Sequence, residues 1–421
     1  MRIAILAWGT RGDVQPMLAL GQQLAVQGHK IRFGAAHVFA EIVREQGFEF
    51  VPLGPQMDFD DYQQLMATVE AEKNPRKQNR LLVQNVLLPN LERYYADCLL
   101  ASADVELIVG HWLQIGAGLS AETLGIPWVS ATLHPAGIES EQTWQMTAEG
   151  ERSGAVFDQW LWGDRLQRFR AQLGLRSFSS ASASLYSEKL NLVSVSRYLL
   201  AADTEWNERH QVTGYFFLNE QQDWQPDEAL LRFLETHDKP IIVSFSSLAG
   251  AAVEQMNKLL LETLKQIDRP AIIQSGWGGF GAMHMPSQIL RIGDVPHEWL
   301  FKHAACVVHH GGAGTTAAAL RCGVPSVVIW HMFDQPYWGN LLAAKGLGPQ
   351  PLSRMSLSTL TLEKCIEEVF SNPSYGERCR NMSELMSQED GVGDAVRRIQ
   401  ALLDNTDLGG RDSAMDMQHS I

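Results

Sequence analysis

Several marks of specialised protein classes are absent from this sequence. Its five cysteines are scattered over 421 residues without a CxxC pair, so neither a disulfide framework nor a zinc site is expected. No uncharged apolar run reaches the roughly 18 residues of a membrane-spanning helix. The apolar start before Gly9 is also too short for a signal peptide. We therefore expect a cytoplasmic protein without a transmembrane segment, and peripheral contact with a membrane stays open.

Positive charge is scarce as well. The 34 Lys and Arg residues are outnumbered by 48 Asp and Glu residues, which gives a formal net charge of -14. Because nucleic-acid surfaces need clustered basic side chains that displace counterions from phosphates, no nucleic-acid partner is expected. Hydrophobic residues make up 45% of the chain, which is enough to bury a large core, and the length favours two domains.

The N-terminal part alternates between short apolar runs and segments with helical spacing. Residues 3–8 predict a strand, residues 14–25 a helix, and residues 30–35 and 48–52 two further strands. This βαβ rhythm is typical of a parallel sheet covered by helices. Further strands of the same domain are predicted at residues 105–109, 128–132 and 190–195.

The βα rhythm breaks once and then restarts. We predict a first domain at residues 1–213, a polar linker without core elements at 214–239, and a second parallel α/β domain at 240–385. Residues 386–403 are expected to form C-terminal helices that pack back on the first domain, and residues 404–421 a disordered polar tail. Since parallel sheets bind ligands beyond the carboxyl ends of their strands, the two domains are expected to face a common cleft.

The segment VVHHGGAGTT at residues 307–316 predicts an anion site. A buried strand ends at a histidine pair, glycines allow close approach of backbone N–H groups, and a helix is predicted to begin at Thr315. The Lys of a Walker loop and the spacing of a GxGxxG fingerprint are missing, so a diphosphate other than that of ATP or NAD fits best. The alternative is a glycine-rich turn that only packs a helix against the sheet.

The next strand is followed by WHMFDQPYWG at residues 330–339. The adjacent carboxylate and amide of Asp334 and Gln335 can hydrogen-bond neighbouring sugar hydroxyls, and flanking aromatic rings can stack on a sugar face. For Asp334 alone, the alternative is a helix cap. Beside a phosphate site, the combination favours a nucleotide-sugar.

Four motifs together resemble those of the UDP-glycosyltransferase superfamily with the GT-B fold, and within it the bacterial and fungal sterol-type and glycopeptide-antibiotic-type glycosyltransferases. They are GTRGDVQP (9–16), SGWGG (275–279), HHGGAGTT (309–316) and FDQPYWG (333–339), in the family's order and at about its spacing. The resemblance implies an α/β protein in which two Rossmann-like domains face a central cleft. It further implies that the first domain binds the acceptor and the second the nucleotide-sugar.

The resemblance also implies which residues bind the donor, a UDP-sugar that is a co-substrate, so that no cofactor is expected. The residues expected at the diphosphate are Ser246, Ser247, His310, Gly312, Gly314 and Thr315. Those expected at the nucleobase are Trp277 and Val295, and those at the hexose are Asp334 and Gln335. Plant members carry a ribose-binding Glu where this chain has Ala318, so the choice between UDP and dTDP stays open, with UDP-glucose as the expected donor.

Inverting transfer needs a base that removes the proton of the acceptor hydroxyl. Asp13 lies at the start of the first helix, where the helix dipole favours its carboxylate; by position alone it could serve only as a cap. The resemblance implies that Asp13 is the base. His111, at a strand end, stands where plant members place an Asp that partners their catalytic His, which suggests a reversed Asp13–His111 pair. Gly12, Trp112 and His134 are expected on the acceptor side.

The acceptor is expected to be hydrophobic and hydroxylated, such as a sterol, polyketide or flavonoid, because tryptophans are frequent in the first half. Residues 58–61 contain a DxD spelling, which we interpret as a solvated loop far from the phosphate segment, so no metal is expected. Two alternatives stay open, a sugar-nucleotide epimerase and a non-catalytic nucleotide-sugar-binding protein. The oligomeric state is not predicted.

Overall fold

The computed structural model contains two parallel sheets with helices on their faces. It describes residues 1–56, 64–65, 67–69, 71–135, 138, 155–178, 181–200, 206–218, 224–245, 251–274 and 285–416. The strands are β1 (Arg2–Leu6), β2 (Lys30–Ala35), β3 (Glu49–Pro52), β4 (Leu107–His111), β5 (Trp128–Thr132), β6 (Asn191–Val193), β7 (His210–Val212), β8 (Ile241–Ser244), β9 (Ala271–Gln274), β10 (Ile289–Ile292), β11 (Cys306–His309), β12 (Ser326–Trp330) and β13 (Leu352–Ser353).

The α-helices connect these strands and cover the sheets. They are α1 (Arg11–Val26), α2 (Ala40–Glu45), α3 (Pro75–Leu82), α4 (Leu91–Ala101), α5 (Ile115–Leu124), α6 (Ala155–Trp162), α7 (Arg165–Gln172), α8 (Glu228–Thr236), α9 (Ala251–Ile267), α10 (His297–Leu300), α11 (Ala313–Arg321), α12 (Gln335–Ala344), α13 (Thr359–Ser371), α14 (Ser374–Met386) and α15 (Gly391–Asp416). No helix in the described part of the chain is long and apolar enough to cross a membrane.

The two sheets share one strand order. The first runs β3-β2-β1-β4-β5-β6-β7 and the second β10-β9-β8-β11-β12-β13, and all their strand pairs are parallel. In each sheet the order reverses between two central strands, β1 and β4 in the first and β8 and β11 in the second. Loops that leave such strands border the crevice where parallel α/β sheets bind ligands. The two predicted α/β units are thus present.

The segment predicted as a featureless linker contains helix α8. Leu230 and Phe233, three residues apart, are buried in one cluster with Ile242 and Ile272 of the second sheet. Asp227 begins the helix because its carboxylate accepts the N–H of Leu230 at 2.7 Å. The prediction of a linker without core elements is therefore wrong for this part, because a capped apolar pair is enough to anchor a short helix.

The last helix packs on the first domain. Ala395, Ile399 and Leu403, spaced by four residues, are buried in the same cluster as Leu20 and Leu24 of α1. The helix continues to Asp416, whereas the sequence predicts a disordered tail from residue 404. The C-terminal segment therefore begins in the second domain and ends on the first, so that it ties the two together.

Candidate active site

Asp13 is held at the start of α1 by its own N-terminal turn. Its Oδ2 atom accepts hydrogen bonds from the backbone N–H of Thr10 at 2.7 Å and from the Thr10 hydroxyl at 3.0 Å. This is the reciprocal arrangement of a capping box, in which the third helical residue binds the residue that begins the helix. The capping role that position alone suggests is therefore present, and it fixes the carboxylate without using Oδ1.

Gly9 provides the space for this carboxylate. It has a φ of +117°, and a Cβ added there would lie 2.3 Å from Oδ2 of Asp13. Any other residue would be strained at this φ and would also displace the carboxylate. Gly12, one residue before Asp13, is less confined, since an added Cβ would meet only the Thr10 hydroxyl at 3.6 Å.

The surroundings raise the pKa of Asp13 to about 6, mainly through burial. The two hydrogen bonds from Thr10 oppose this shift, and the negative charge of Asp334 in the second domain adds to it. The carboxylate is consequently ionised at neutral pH while being a stronger base than an exposed aspartate. A pKa just below the working pH suits a general base.

His111 ends β4, next to β1 in the sheet, and faces Asp13. Its Nε2 lies 3.7 Å from Oδ1 of Asp13, longer than a hydrogen bond. Burial, aided by His134, lowers the pKa of His111 to about 3, so the ring is neutral. The N–H of Leu113 points at Nδ1 at 3.4 Å, which assigns the ring proton to Nε2, toward Asp13. The predicted pair is adjacent, but it is no ion pair at neutral pH.

Aromatic side chains lie beside this pair, on the side predicted to receive the acceptor. The Trp112 ring stacks on Tyr186 at a centroid distance of 6.0 Å and meets His134 edge-on at 5.7 Å. Burial lowers the pKa of His134, Asp334 partly offsets this, and Nδ1 of His134 has no hydrogen-bond partner. Trp112, His134 and Tyr186 therefore form one aromatic wall beside the Asp13–His111 pair.

In the second domain, the two histidines at the end of β11, His309 and His310, differ in their surroundings. His309 is fully buried, and its Nδ1 accepts the N–H of Gly311 at 3.0 Å, which folds the turn. Gly311 has a φ of +85°, and an added Cβ would lie 2.6 Å from Val328. His309 thus has a structural role in the turn, and His310 stays the residue predicted at the diphosphate.

His310 lies against the N-terminus of α11. A Cβ added at Gly312 would lie 2.5 Å from Nε2 of His310, so glycine is needed there for the ring to fit. Burial lowers the pKa of His310 to about 4, and its Nδ1 has no hydrogen-bond partner. The first N–H groups of α11, including those of Gly314 and Thr315, precede the first intrahelical bond, donated by Thr316. Neutral imidazole and free N–H groups together form an anion-binding end.

Asp334 and Gln335 begin α12 but do not cap it. Asp334 makes no side-chain cap; its Oδ2 accepts the indole N–H of Trp338 at 2.7 Å. The Oε1 of Gln335 accepts the backbone N–H groups of His331 and Met332 at 2.7 and 3.1 Å. These bonds use one oxygen of each side chain, so sugar binding by Asp334 and Gln335 stays a prediction that would rest on the amide N–H₂ of Gln335 and on Oδ1 of Asp334.

The loop predicted to meet the nucleobase rests on a buried polar chain that sequence reasoning missed. The carbonyl of Val295 accepts from the amide of Gln274 at 2.7 Å, and the hydroxyl of Ser244 donates to Gln274 at 3.0 Å. His297 lies 3.1 Å from the same hydroxyl. The sequence does carry a signal for this chain of hydrogen bonds, because the apolar strands β8 and β9 each end in a polar residue, Ser244 and Gln274. A contact between Val295 and a base stays a prediction.

The two halves approach each other across the cleft. Arg11 forms an ion pair with Asp294 at 3.1 Å, and the charge of Asp334 acts on Asp13 as well as on His310. Ser246, Ser247, Trp277 and the DxD segment at 58–61 lie outside the described residues. Among the residues that are described, no group of three or more His, Cys, Asp or Glu side chains could hold a metal ion.

Comparisons with known proteins agree on one family. A model described as the glycosyltransferase family 28 N-terminal domain matches residues 3–135, and one described as the erythromycin biosynthesis protein CIII-like C-terminal domain matches residues 258–402. A sterol 3-beta-glucosyltransferase of Arabidopsis thaliana is 30% identical over 94% of this chain and 67% of its own length. The O-mycaminosyltylonolide 6-deoxyallosyltransferase of Streptomyces fradiae is 29% identical over 95% of this chain and 97% of its own.

The share of each relative's length that aligns with this chain differs widely. The chain spans about two thirds of the two plant sterol glucosyltransferases, 67% and 65%, and 30% of the one from Aspergillus fumigatus. The solved structure of CalG4, the calicheamicin glycosyltransferase, superposes with a TM-score of 0.73 at 18% identity and covers 96% of this chain and 98% of its own. This confirms the predicted fold class, GT-B. The chain is a glycosyltransferase and belongs to the UDP-glycosyltransferase superfamily.

Proposed function

We propose that the protein is an inverting glycosyltransferase that moves a hexose, glucose, from a UDP-sugar to a hydroxyl of a hydrophobic small molecule. The observation that carries the proposal is the position of Asp13. Its carboxylate, with a pKa of about 6, lies close enough to Asp334 of the second domain for that charge to raise its pKa further. The proposed base of the first domain thus lies within electrostatic reach of the predicted sugar-binding residue of the second.

The chemistry is a single displacement. Asp13 takes the proton of the acceptor hydroxyl while that oxygen forms a bond to the anomeric carbon of the sugar. The bond from this carbon to the diphosphate breaks, and UDP leaves with the electron pair, so that the anomeric configuration inverts. The N-terminus of α11 and His310 stabilise the developing negative charge, with no metal required in the proposal.

His111 acts as a positioning residue for the base. It is neutral, and its Nε2–H faces the Asp13 carboxylate at 3.7 Å. A small movement would bring the two groups into a hydrogen bond that holds the carboxylate toward the acceptor. Since its pKa is about 3, His111 does not receive the proton from Asp13 at neutral pH.

The proposed acceptor is a sterol or a comparable aglycone. The support comes from the aromatic wall of Trp112, His134 and Tyr186 beside the base, and from relatives whose names specify a sterol or O-mycaminosyltylonolide. Apolar acceptors pack well on such rings.

The test starts with the donor. Thermal shift with a panel of UDP- and dTDP-sugars identifies the nucleotide, and mass spectrometry of a sterol and aglycone mixture then detects a mass gain of one hexose. NMR of the product gives the anomeric configuration, and EDTA should leave the rate unchanged. Conversion of the donor alone into another sugar nucleotide would instead identify an epimerase, and donor binding without turnover on any acceptor would indicate a binding protein.

A further inference from the structure

One hydrogen bond joins a buried side chain of the first domain to the loop between β12 and α12 in the second. This loop, residues 331–334, carries Asp334 and is called the sugar-binding loop below. The Oε1 of Gln78, on α3, accepts the backbone N–H of Phe333 at 3.1 Å. The Nε2 of Gln78 donates to the carbonyl of Glu72 at 2.7 Å, and the residue is only 1% exposed. Both ends of this glutamine amide are therefore bonded, one within its own domain and one across the cleft.

The start of α3 holds Gln78 in place. Asn74 begins the helix, and its side-chain oxygen accepts the N–H groups of Arg76 and Lys77 at 2.9 and 3.3 Å. Asn74 lies one helical turn before Gln78. Because the cap fixes this first turn, the Gln78 side chain starts from a defined backbone position. A buried amide with both ends bonded defines the position of its partners more sharply than an exposed one.

Phe333 needs such support because its backbone is strained. Its φ is +54°, in the left-handed region that bulky residues rarely adopt. The next residue is Asp334, whose carboxylate is bonded to Trp338. The backbone conformation at Phe333 therefore sets the direction from which Asp334 and Gln335 reach a sugar.

We propose that Gln78 is a positioning residue for the donor sugar, supplied by the acceptor half. By holding the N–H of Phe333 in its strained conformation, it fixes the sugar-binding loop relative to Asp13. This inference rests on the proposed function and adds a residue of the first domain to the donor site. The anion-binding end at α11 and the loop at Val295 belong to the second domain, so nucleotide affinity is independent of Gln78.

The test replaces Gln78 by Met, which has similar length and no strong hydrogen-bonding group. We expect kcat for sugar transfer to fall by about 3- to 10-fold, the range of one net hydrogen bond, with the Kd for UDP unchanged. Hydrogen exchange at the amide of Phe333 should become faster. Gln78→Glu, which keeps an oxygen for Phe333, should retain more protection of that amide than Gln78→Met.

Gln84→Met is the matched control. Gln84 follows on the same helical segment, and its amide donates to the carbonyl of Trp160 at 3.4 Å within the first domain. Because Gln84 is only part-buried and makes this one long bond, the variant should lower stability no more than Gln78→Met, while kcat and exchange at Phe333 stay as in the wild type.

Unchanged kcat and unchanged exchange at Phe333 in Gln78→Met would overturn the inference, as would an equal loss of UDP affinity. If Gln78→Met does not fold, kcat and the exchange at Phe333 in Gln78→Ala, which also lacks the amide oxygen that accepts the N–H of Phe333, decide. Absence of sugar transfer by the wild type would instead refute the proposed function, and the exchange experiment would still report on the cross-cleft bond.

Discussion

The loop between β1 and α1 and the loop between β11 and α11 both place a functional side chain beside a glycine that leaves it room. A Cβ at Gly9 would lie 2.3 Å from the Asp13 carboxylate, and one at Gly312 would lie 2.5 Å from the His310 ring. The carboxylate already has two hydrogen bonds from Thr10, whereas Nδ1 of His310 has no partner. The first loop is thus internally braced, and the second offers polar groups to a ligand.

Burial acts on the two loops in opposite chemical directions. It raises the pKa of Asp13 to about 6 and lowers that of His310 to about 4, because in both cases it disfavours the charged form. The first loop thereby carries a carboxylate that is a stronger base than an exposed aspartate and is still ionised at neutral pH. The second keeps an uncharged imidazole that can donate to a phosphate without titrating. The same physical effect therefore supports two different tasks.

The largest expected loss of kcat comes from a substitution in the loop between β1 and α1. Asp13→Asn should lower kcat by about 10²- to 10⁴-fold, because the amide cannot accept the acceptor proton. The Kd for UDP should stay as in the wild type, since the anion-binding end lies in the other domain. Asp227→Asn, which can still cap α8 far from the cleft, is the control. Turnover of Asp13→Asn near the wild-type rate would remove Asp13 from the mechanism.

Gly9→Ala should lower kcat by about 100-fold, because a misplaced catalytic group loses its proximity to the substrate. Gly28→Ala separates backbone strain from this clash, since Gly28 has a φ of +87° with no atom within 4 Å of an added Cβ. We expect Gly28→Ala to lower stability but leave kcat unchanged. Equal kcat losses in both variants would show that strain, and not the carboxylate position, limits the rate.

Gly312→Ala should act on donor affinity. The added methyl group would push the His310 ring away from the start of α11, and we expect a roughly 10-fold weaker Kd for UDP by calorimetry, the effect of one charge-assisted hydrogen bond. The loss of kcat at saturating donor should be smaller than for Gly9→Ala. A variant with normal UDP affinity and a lowered kcat would assign the two loops the reverse division of tasks.

The smallest effect concerns pH. In the proposed mechanism Asp13 accepts a proton only when it is ionised, so kcat/KM should fall as the pH drops through about 6. His111 and His310, with pKa values of about 3 and 4, stay neutral over this range. Asp334→Asn removes a negative charge that raises the pKa of Asp13. The acidic limb of the kcat/KM profile should therefore move to lower pH. The position of the acidic limb is the measurement, because the variant is also expected to weaken sugar binding and thereby lower the rate at every pH. An unmoved limb would contradict the electrostatic contact across the cleft.

Contiguous motifs were the predictable part of the site. The segment at 307–316 carries a strand, a glycine turn and a helix start in one stretch, so its geometry follows from local preferences. Asp334 was harder, because its position predicts a cap and only the structure shows that the carboxylate turns to Trp338 instead. Strands β7 and β13, with three and two residues, are too short to leave an alternating or apolar pattern.

By itself, the sequence determined the two parallel α/β units and the motifs at the ends of their strands, because alternating apolar runs and glycine turns are local properties of the chain. Tertiary structure alone decided which distant groups meet. Gln78 and Phe333 are 255 residues apart, and neither lies in a pattern that indicates a partner. The field of Asp334 on Asp13 likewise arises only when the two domains close on one cleft, because Coulomb interactions depend on distance in space and not along the chain.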